Sequence, residues 1–206
     1  MSSTLRPASL ALALALFAGA TPARATFHLW EISEVFSNAE GTVQFVEFET
    51  NEAFQNLLEG QVLRTTQNNL VLQTFTFPSN LPSQNTQDRF FLVATPGFEA
   101  VAGIAPDFEI PVGFLEVGVL DEVELVGADD FGFAPEELPT DGVSSLNALG
   151  GGSIGVAPAT PTNFAGEIGT LPEPGSATGA LAAAAALATF RKLSKVLAVS
   201  GEERPR

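Results

Sequence analysis

Carboxylates are the one catalytic raw material this sequence offers in quantity. Glu31 and Glu34, or Glu47 and Glu49, supply the acid and base of glycoside hydrolysis if the fold holds such a pair at the required separation. Glu47 and Glu49 are two residues apart, which puts them on one face of a strand. The plainer reading of all four is the solvated rim of a sheet. Other chemistries lack parts. There is no cysteine and hence no thiol nucleophile. The only histidine is His28, which a Ser-His-Asp device would have to use; its place reads as a strand residue near an edge. Gly151-Gly152-Ser153-Ile154-Gly155 has the letters of a nucleophile elbow but follows no convincing strand. One histidine and no cysteine leave zinc only a carboxylate-rich ligand set. The expectation is therefore a protein that is not an enzyme.

Hard cations suit the acids better, because calcium takes six to eight oxygens from carboxylates and carbonyls. Asp121-Glu122 and Asp129-Asp130, flanked by glycine, are the candidate ligands should they cluster at one end of the fold. Neither an EF-hand spacing nor an Asp-bearing nonapeptide repeat accompanies them, so acidic loops without a metal are the default and no cofactor is required. The charge balance excludes one partner class outright. Between Thr26 and Leu171 the only basic residues are Arg64 and Arg89. Of the 24 acidic residues in the chain, all but Glu173, Glu202 and Glu203 lie in that same segment. Such a surface repels a phosphate backbone, so nucleic acid is not expected as a partner.

The elements that must position these residues form one body between two atypical ends. Met1–Arg6 is short with one positive charge, and an apolar run from Ala8 to Ala18 follows. Ala23-Arg24-Ala25 then gives the small-x-small pattern of a signal peptidase site, so residues 1–25 read as a signal peptide and the mature chain as starting at Thr26. The run is too short for a bilayer, which takes about 20 residues. With no disulfides available to an exported chain, stability must come from a core. The chain has 17 phenylalanines to build it, most of them in the middle segment.

Residues 26–170 read as short strands with turn signals and without long helical periodicity. Phe27–Phe36 is β-rich, Asn38–Gly41 a turn and Thr42–Thr50 the second strand. Val46 and Phe48 fall on one of its faces and Val43, Phe45 and Glu47 on the other, as suits a central strand covered on both sides. Gln61–Thr65 and Leu70–Phe77 flank Thr66-Gln67-Asn68-Asn69, and adjacent Asn residues tolerate the positive φ of a hairpin turn. Arg89–Ala94 reads as a buried strand and Thr95–Glu99 as one helical turn with Thr95 as N-cap and Pro96 first. Phe114–Val119 and Glu122–Val126 are further strand candidates. After Gly127 the pattern loosens: Gly150–Gly152 and Ala157–Pro161 mark loops with at most a short strand between. An antiparallel sandwich or barrel fits this sequence of elements.

Two resemblances sharpen the picture. Leu171-Pro172-Glu173-Pro174-Gly175, then the apolar run Ala177–Phe190 and the basic Arg191-Lys192, resembles the PEP-CTERM sorting signal of bacterial envelope proteins. Pro172, Glu173 and Pro174 match its short motif. The resemblance implies an exosortase-type processing enzyme as a partner, beside signal peptidase and a transient stay in the inner membrane. Basic residues closing the run agree with the positive-inside rule. Two departures accompany the match: the apolar run is short and Ala-rich, and the chain continues from Leu193 to Arg206. The second resemblance is to lamin-tail-type domains. It is carried by Glu31-Ile32-Ser33-Glu34-Val35, Gln44-Phe45-Val46-Glu47-Phe48, Asp141–Leu146 and Pro158–Asn163. It implies an immunoglobulin-like β-sandwich whose Glu34 and Glu47 are structural acids, in a class of module used for binding or adhesion.

The expectation is thus a mostly-β, antiparallel immunoglobulin-like sandwich, flanked by an N-terminal signal helix and, over residues 171–206, a sorting signal with an apolar helix and basic tail. Its expected role is non-enzymatic, at the cell surface or in an exopolysaccharide matrix, with the tail cleaved or retained as an anchor. The rival is a secreted carbohydrate-binding or carbohydrate-active domain using acidic loops. That rival needs a cleft with two carboxylates and an aromatic platform, and Trp30 is the only tryptophan while tyrosine is absent.

Overall fold

The computed structural model describes residues 26–172. Ten strands and one short helix make up this region: β1 (Glu31–Ser37), β2 (Gln44–Thr50), β3 (Val62–Gln67), β4 (Leu70–Thr76), β5 (Arg89–Ala94), α1 (Phe98–Ala102), β6 (Phe108–Glu109), β7 (Glu122–Leu125), β8 (Asp129–Gly132), β9 (Ser144–Gly150) and β10 (Ser153–Pro158). They form a six-stranded sheet in the order β10-β9-β1-β2-β5-β6 and a four-stranded sheet in the order β4-β3-β7-β8. Every pairing is antiparallel except β5 with β6, a two-residue parallel addition at one edge.

The sheets are held face to face by alternate residues of their strands. Ile32 and Val35 of β1, Val46 and Phe48 of β2, and Phe91 and Val93 of β5 pack with Leu63 of β3, Val123 and Leu125 of β7, and Phe131 of β8. Phe48 stacks on Phe91 with centroids 4.3 Å apart, and Trp30 meets Phe91 edge-on at 4.7 Å. Trp30 also donates its indole N–H to the Gln55 carbonyl at 2.7 Å, so its one polar atom is satisfied inside the core.

The other face of β2 is covered too, as its two-faced apolar pattern requires. Phe36, Phe45, Leu92 and Ala94 form a second core against Phe98 and Ala102 of α1, with Ile104, Ala159 and Leu171. The residues after β10 therefore return across the outer face of the large sheet as a strap. Gly169 lies so close that a Cβ there would stand 3.0 Å from Ile104 and 3.2 Å from the Ala102 carbonyl.

Several local expectations need correction. Phe114–Val119 is a run of turns, not a strand; Phe114 and Leu115 are buried because they plug the core from a loop, which a strand and a loop do equally well. The helical turn begins at Phe98 with Gly97 at its N-cap. Thr95 instead accepts from the Gln44 N–H and donates to the Thr42 carbonyl, both through Oγ1, which fastens β5 to β2. After Gly127 the chain holds three strands where loops with at most one short strand are expected. Gly150, Gly151 and Gly152 all have positive φ, so the triple glycine is the bend that joins β9 to β10. The hairpin at Asn68-Asn69 is as expected, with φ of 49° and 64°.

Candidate functional site

Glu34 and Glu47 face each other across β1 and β2. Both are buried, and a carboxylate in such a place needs donors for its lone pairs. Glu34 accepts from the Ser145 hydroxyl on β9 and from the Thr160 N–H at 3.0 Å. Glu47 accepts from the Ser33 hydroxyl at 2.8 Å and from the Thr162 N–H. Asp107, just before β6, accepts from the Leu92 N–H at 2.8 Å and the Phe164 N–H at 2.9 Å. Three carboxylates thus hold the alternate N–H groups of Thr160, Thr162 and Phe164, one after another along the strap. The strap makes no ladder with the sheet it crosses, and the acids satisfy donors that a neighbouring strand would otherwise take.

Burial pushes the protonation of all three upward. Glu47 is raised to about 8, chiefly because its charge is desolvated and further because Glu34 stands beside it, against the bonds from Ser33 and Thr162. Glu34 and Asp107 are raised for the same leading reason, opposed by their hydrogen bonds. A raised carboxyl in a pair is what an acid catalyst needs. Here, however, both acids are engaged by the strap's main chain and by serine hydroxyls beneath it, so the group acts as a clasp.

The second pair, Glu31 and Glu49, is also opposed across β1 and β2. It lines an open cleft of about 330 Å³ with His28, Trp30, Glu52 and Asp129. Glu49 is raised by burial and by the charge of Glu31. Asp129 is raised by burial although the Ile32 N–H bonds it at 2.7 Å. Its carboxylate ties β8 of one sheet to β1 of the other. Trp30 touches this cleft only from within the core, being fully buried, so it offers a sugar no stacking face. His28 is exposed, with Nδ1 3.0 Å from the Gly127 carbonyl.

The four calcium candidates are not brought together. Glu122 pairs with Gly132 and Leu125 with Asp129, so Asp121-Glu122 and Asp129-Asp130 sit at opposite ends of the β7–β8 hairpin. Asp121 accepts from the Asn68 N–H at 2.7 Å and Glu122 from the Thr66 hydroxyl at 3.2 Å. Among the described residues, no group of three or more His, Cys, Asp or Glu side chains is placed to hold a metal ion.

Of the processing sites, Thr26 and Pro172 are the first and last described residues. Thr26 donates its N–H to the Phe54 carbonyl at 2.7 Å, and its own carbonyl accepts from the Leu57 N–H. Ala23, Ala25, Glu173, Pro174, Arg191 and Lys192 lie outside the described residues, as do the expected signal helix and apolar helix. Among the described residues, no helix is long and apolar enough to cross a membrane.

The clasp is only half legible in the sequence. Glu34 and Glu47 are marked as structural acids by the lamin-tail resemblance, but nothing local points to Asp107 or to the strap. The partner N–H groups lie 126, 115 and 57 residues away along the chain. No protein-family model, curated protein or solved structure matches this chain.

Proposed function

We propose that this is an exported, non-enzymatic surface or matrix protein, delivered by an N-terminal signal peptide and processed or tethered through its C-terminal sorting tail. The observation that carries the reading is how the residues beside each proposed cleavage point are held. Thr26, the residue a signal peptidase would leave first, is bonded into the body through its own N–H and carbonyl. An α-amino group made by cleavage keeps that donor. At the other end Leu171 of the clasped strap packs, partly buried, against the second core, immediately before Pro172-Glu173-Pro174. The residue on the inner side of each proposed cleavage point is thus held by the body, as a mature terminus there requires.

The finer architectural reading, an immunoglobulin-like sandwich of lamin-tail type, is supported by the two stacked, mostly antiparallel sheets. It is supported also by the work of Glu34 and Glu47, which hold the Pro158–Asn163 segment that belongs to the same resemblance. A scaffold of this kind presents loops and edges for binding, and a strongly acidic surface opposes non-specific association. The glycan-directed alternative has a carboxylate cleft at Glu31 and Glu49 but loses its only tryptophan to the core.

The test is Pro172→Ala, Glu173→Ala and Pro174→Ala made together in the native host. A change in mature mass or in cell-surface location is expected. If both stay as in the wild type, the tail is not a sorting signal.

A further inference from the structure

We propose that β10 is a self-pairing edge, through which two copies of this chain join their large sheets antiparallel about a two-fold axis at Gly155. Among the described residues β10 bonds to β9 on one side only, and its other side carries main-chain groups that none of them pairs. The Ala159 N–H donates to the Val143 carbonyl, which sets the phase of the β9–β10 ladder. Alternation then turns Ala157 and Gly155 toward β9 and leaves the N–H and carbonyl groups of Ile154 and Val156 pointing outward. Crossing at Gly155 sets Ile154 opposite the partner's Val156 and Val156 opposite the partner's Ile154, and four main-chain hydrogen bonds close at once. The arrangement is isologous, as a two-fold dimer requires.

Side chains favour the same crossing. Gly155 has no Cβ because Leu149 lies across it: an added Cβ would stand 2.8 Å from Leu149 Cδ1. Leu149 is 66% exposed and Val156 62%, on opposite faces of the hairpin. Pairing would bring the two Leu149 side chains together over the glycines on one face, and cover each Val156 with an Ile154 on the other. The small sheet ends at β8, beside β1; Ile154 packs partly against the inner core while Val156 stays exposed.

Charge decides who the occupant is and where it docks. From Gly142 to Gly166 no residue is charged, in a body that is otherwise densely acidic. Two like-charged bodies can approach with neutral strands facing each other, whereas the β6 edge carries Glu109 and the β8 edge Asp129 and Asp130. The β4 edge is also uncharged. Its register shift puts the extra residue, Leu72, in the edge strand itself and bends it, whereas the shift between Ser153 and Ile154 puts its extra residue, Leu149, in β9 and not in β10.

Sedimentation equilibrium of the full chain tests this with Val156→Pro, Val156→Lys and, as a control on the β4 edge, Val71→Lys. Proline at 156 removes an outward donor while sparing the ladder to β9; lysine places a charge at the contact without touching the main chain, and decides the matter if the proline variant fails to fold. The wild type is expected to dimerise, more tightly as salt screens the acidic bodies, with each Val156 variant weakening association at least about tenfold (about 1.4 kcal/mol) and Val71→Lys leaving it unchanged. A monomer at every concentration, association indifferent to both Val156 variants, or loss on Val71→Lys instead would each overturn the proposal.

Discussion

A carboxyl group kept protonated by its surroundings makes stability depend on pH in a direction opposite to the usual acid denaturation. Glu47 holds its proton up to about 8 in the folded chain against an ordinary 4.5. In the unfolded chain that proton is lost near the ordinary value, so the folded state binds more protons between the two. The stabilisation is complete below about 4.5 and is lost as pH rises through 8. Glu34 and Asp107 are raised as well and act in the same sense. The melting temperature is therefore expected to fall by several degrees between pH 5 and pH 8.5. Self-repulsion of the acidic surface adds to that slope, which makes Glu47→Gln the decisive comparison. Glutamine is neutral at every pH, can donate to Ser33 Oγ and can still accept from Thr162. Its melting temperature should match the wild type at pH 5, exceed it at pH 8.5 and show a flatter profile. An unchanged slope would mean that Glu47 is ionised in the fold. The lamin-tail resemblance marks Glu34 and Glu47 as structural acids, but their burial and raised protonation are not legible in the sequence. Both follow only once the far end of the chain is laid over them.

At the level of elements, what was legible followed from how local the cause is. The Asn68-Asn69 hairpin is specified by its own two residues, which is why it is predicted correctly. Asn69→Ala keeps a Cβ at φ 64° but removes the short polar side chain whose local bonding offsets the strain, and should cost about 1 kcal/mol in a denaturant melt. Asn69→Gly should be neutral or better; equal losses for both would mean the side chain, not the backbone, matters there. The two-faced β2 was legible for a similar reason, since seven residues carry the whole pattern. β9 and β10 were not, because triple glycine reads as loop and the flanking Ser, Asn, Ala and Gly carry little β signal. Their strand character comes from β1, which offers β9 an edge to pair with. The strap depends on an even longer-range cause, its fit between α1 and the sheet. Gly169→Ala forces a methyl against Ile104 and the Ala102 carbonyl and should cost about 1–3 kcal/mol. A wild-type melting curve for this variant would show that the strap's end moves freely.

For the whole molecule, composition already dictated the main constraints. Without cysteine the chain must rely on burial, and it builds two cores on the two faces of one sheet, the outer closed by the strap. The mostly-β class and the stacking of two sheets were readable from strand length and turn spacing. The strand order was not, because pairings such as β1 with β9 join segments more than a hundred residues apart, and no local pattern encodes that choice. Truncating Phe48, stacked on Phe91 at the centre of the inner core, to alanine should cost about 3–5 kcal/mol in a denaturant melt. A small loss would mean that the sheets are held together elsewhere. The export reading is tested most directly by the intact mass of the protein recovered from its native host. The expected mass is that of a chain beginning at Thr26 and cut near Pro172-Glu173-Pro174, or beginning at Thr26 with the tail retained as an anchor. A mass corresponding to the uncut chain from Met1 to Arg206 would contradict it.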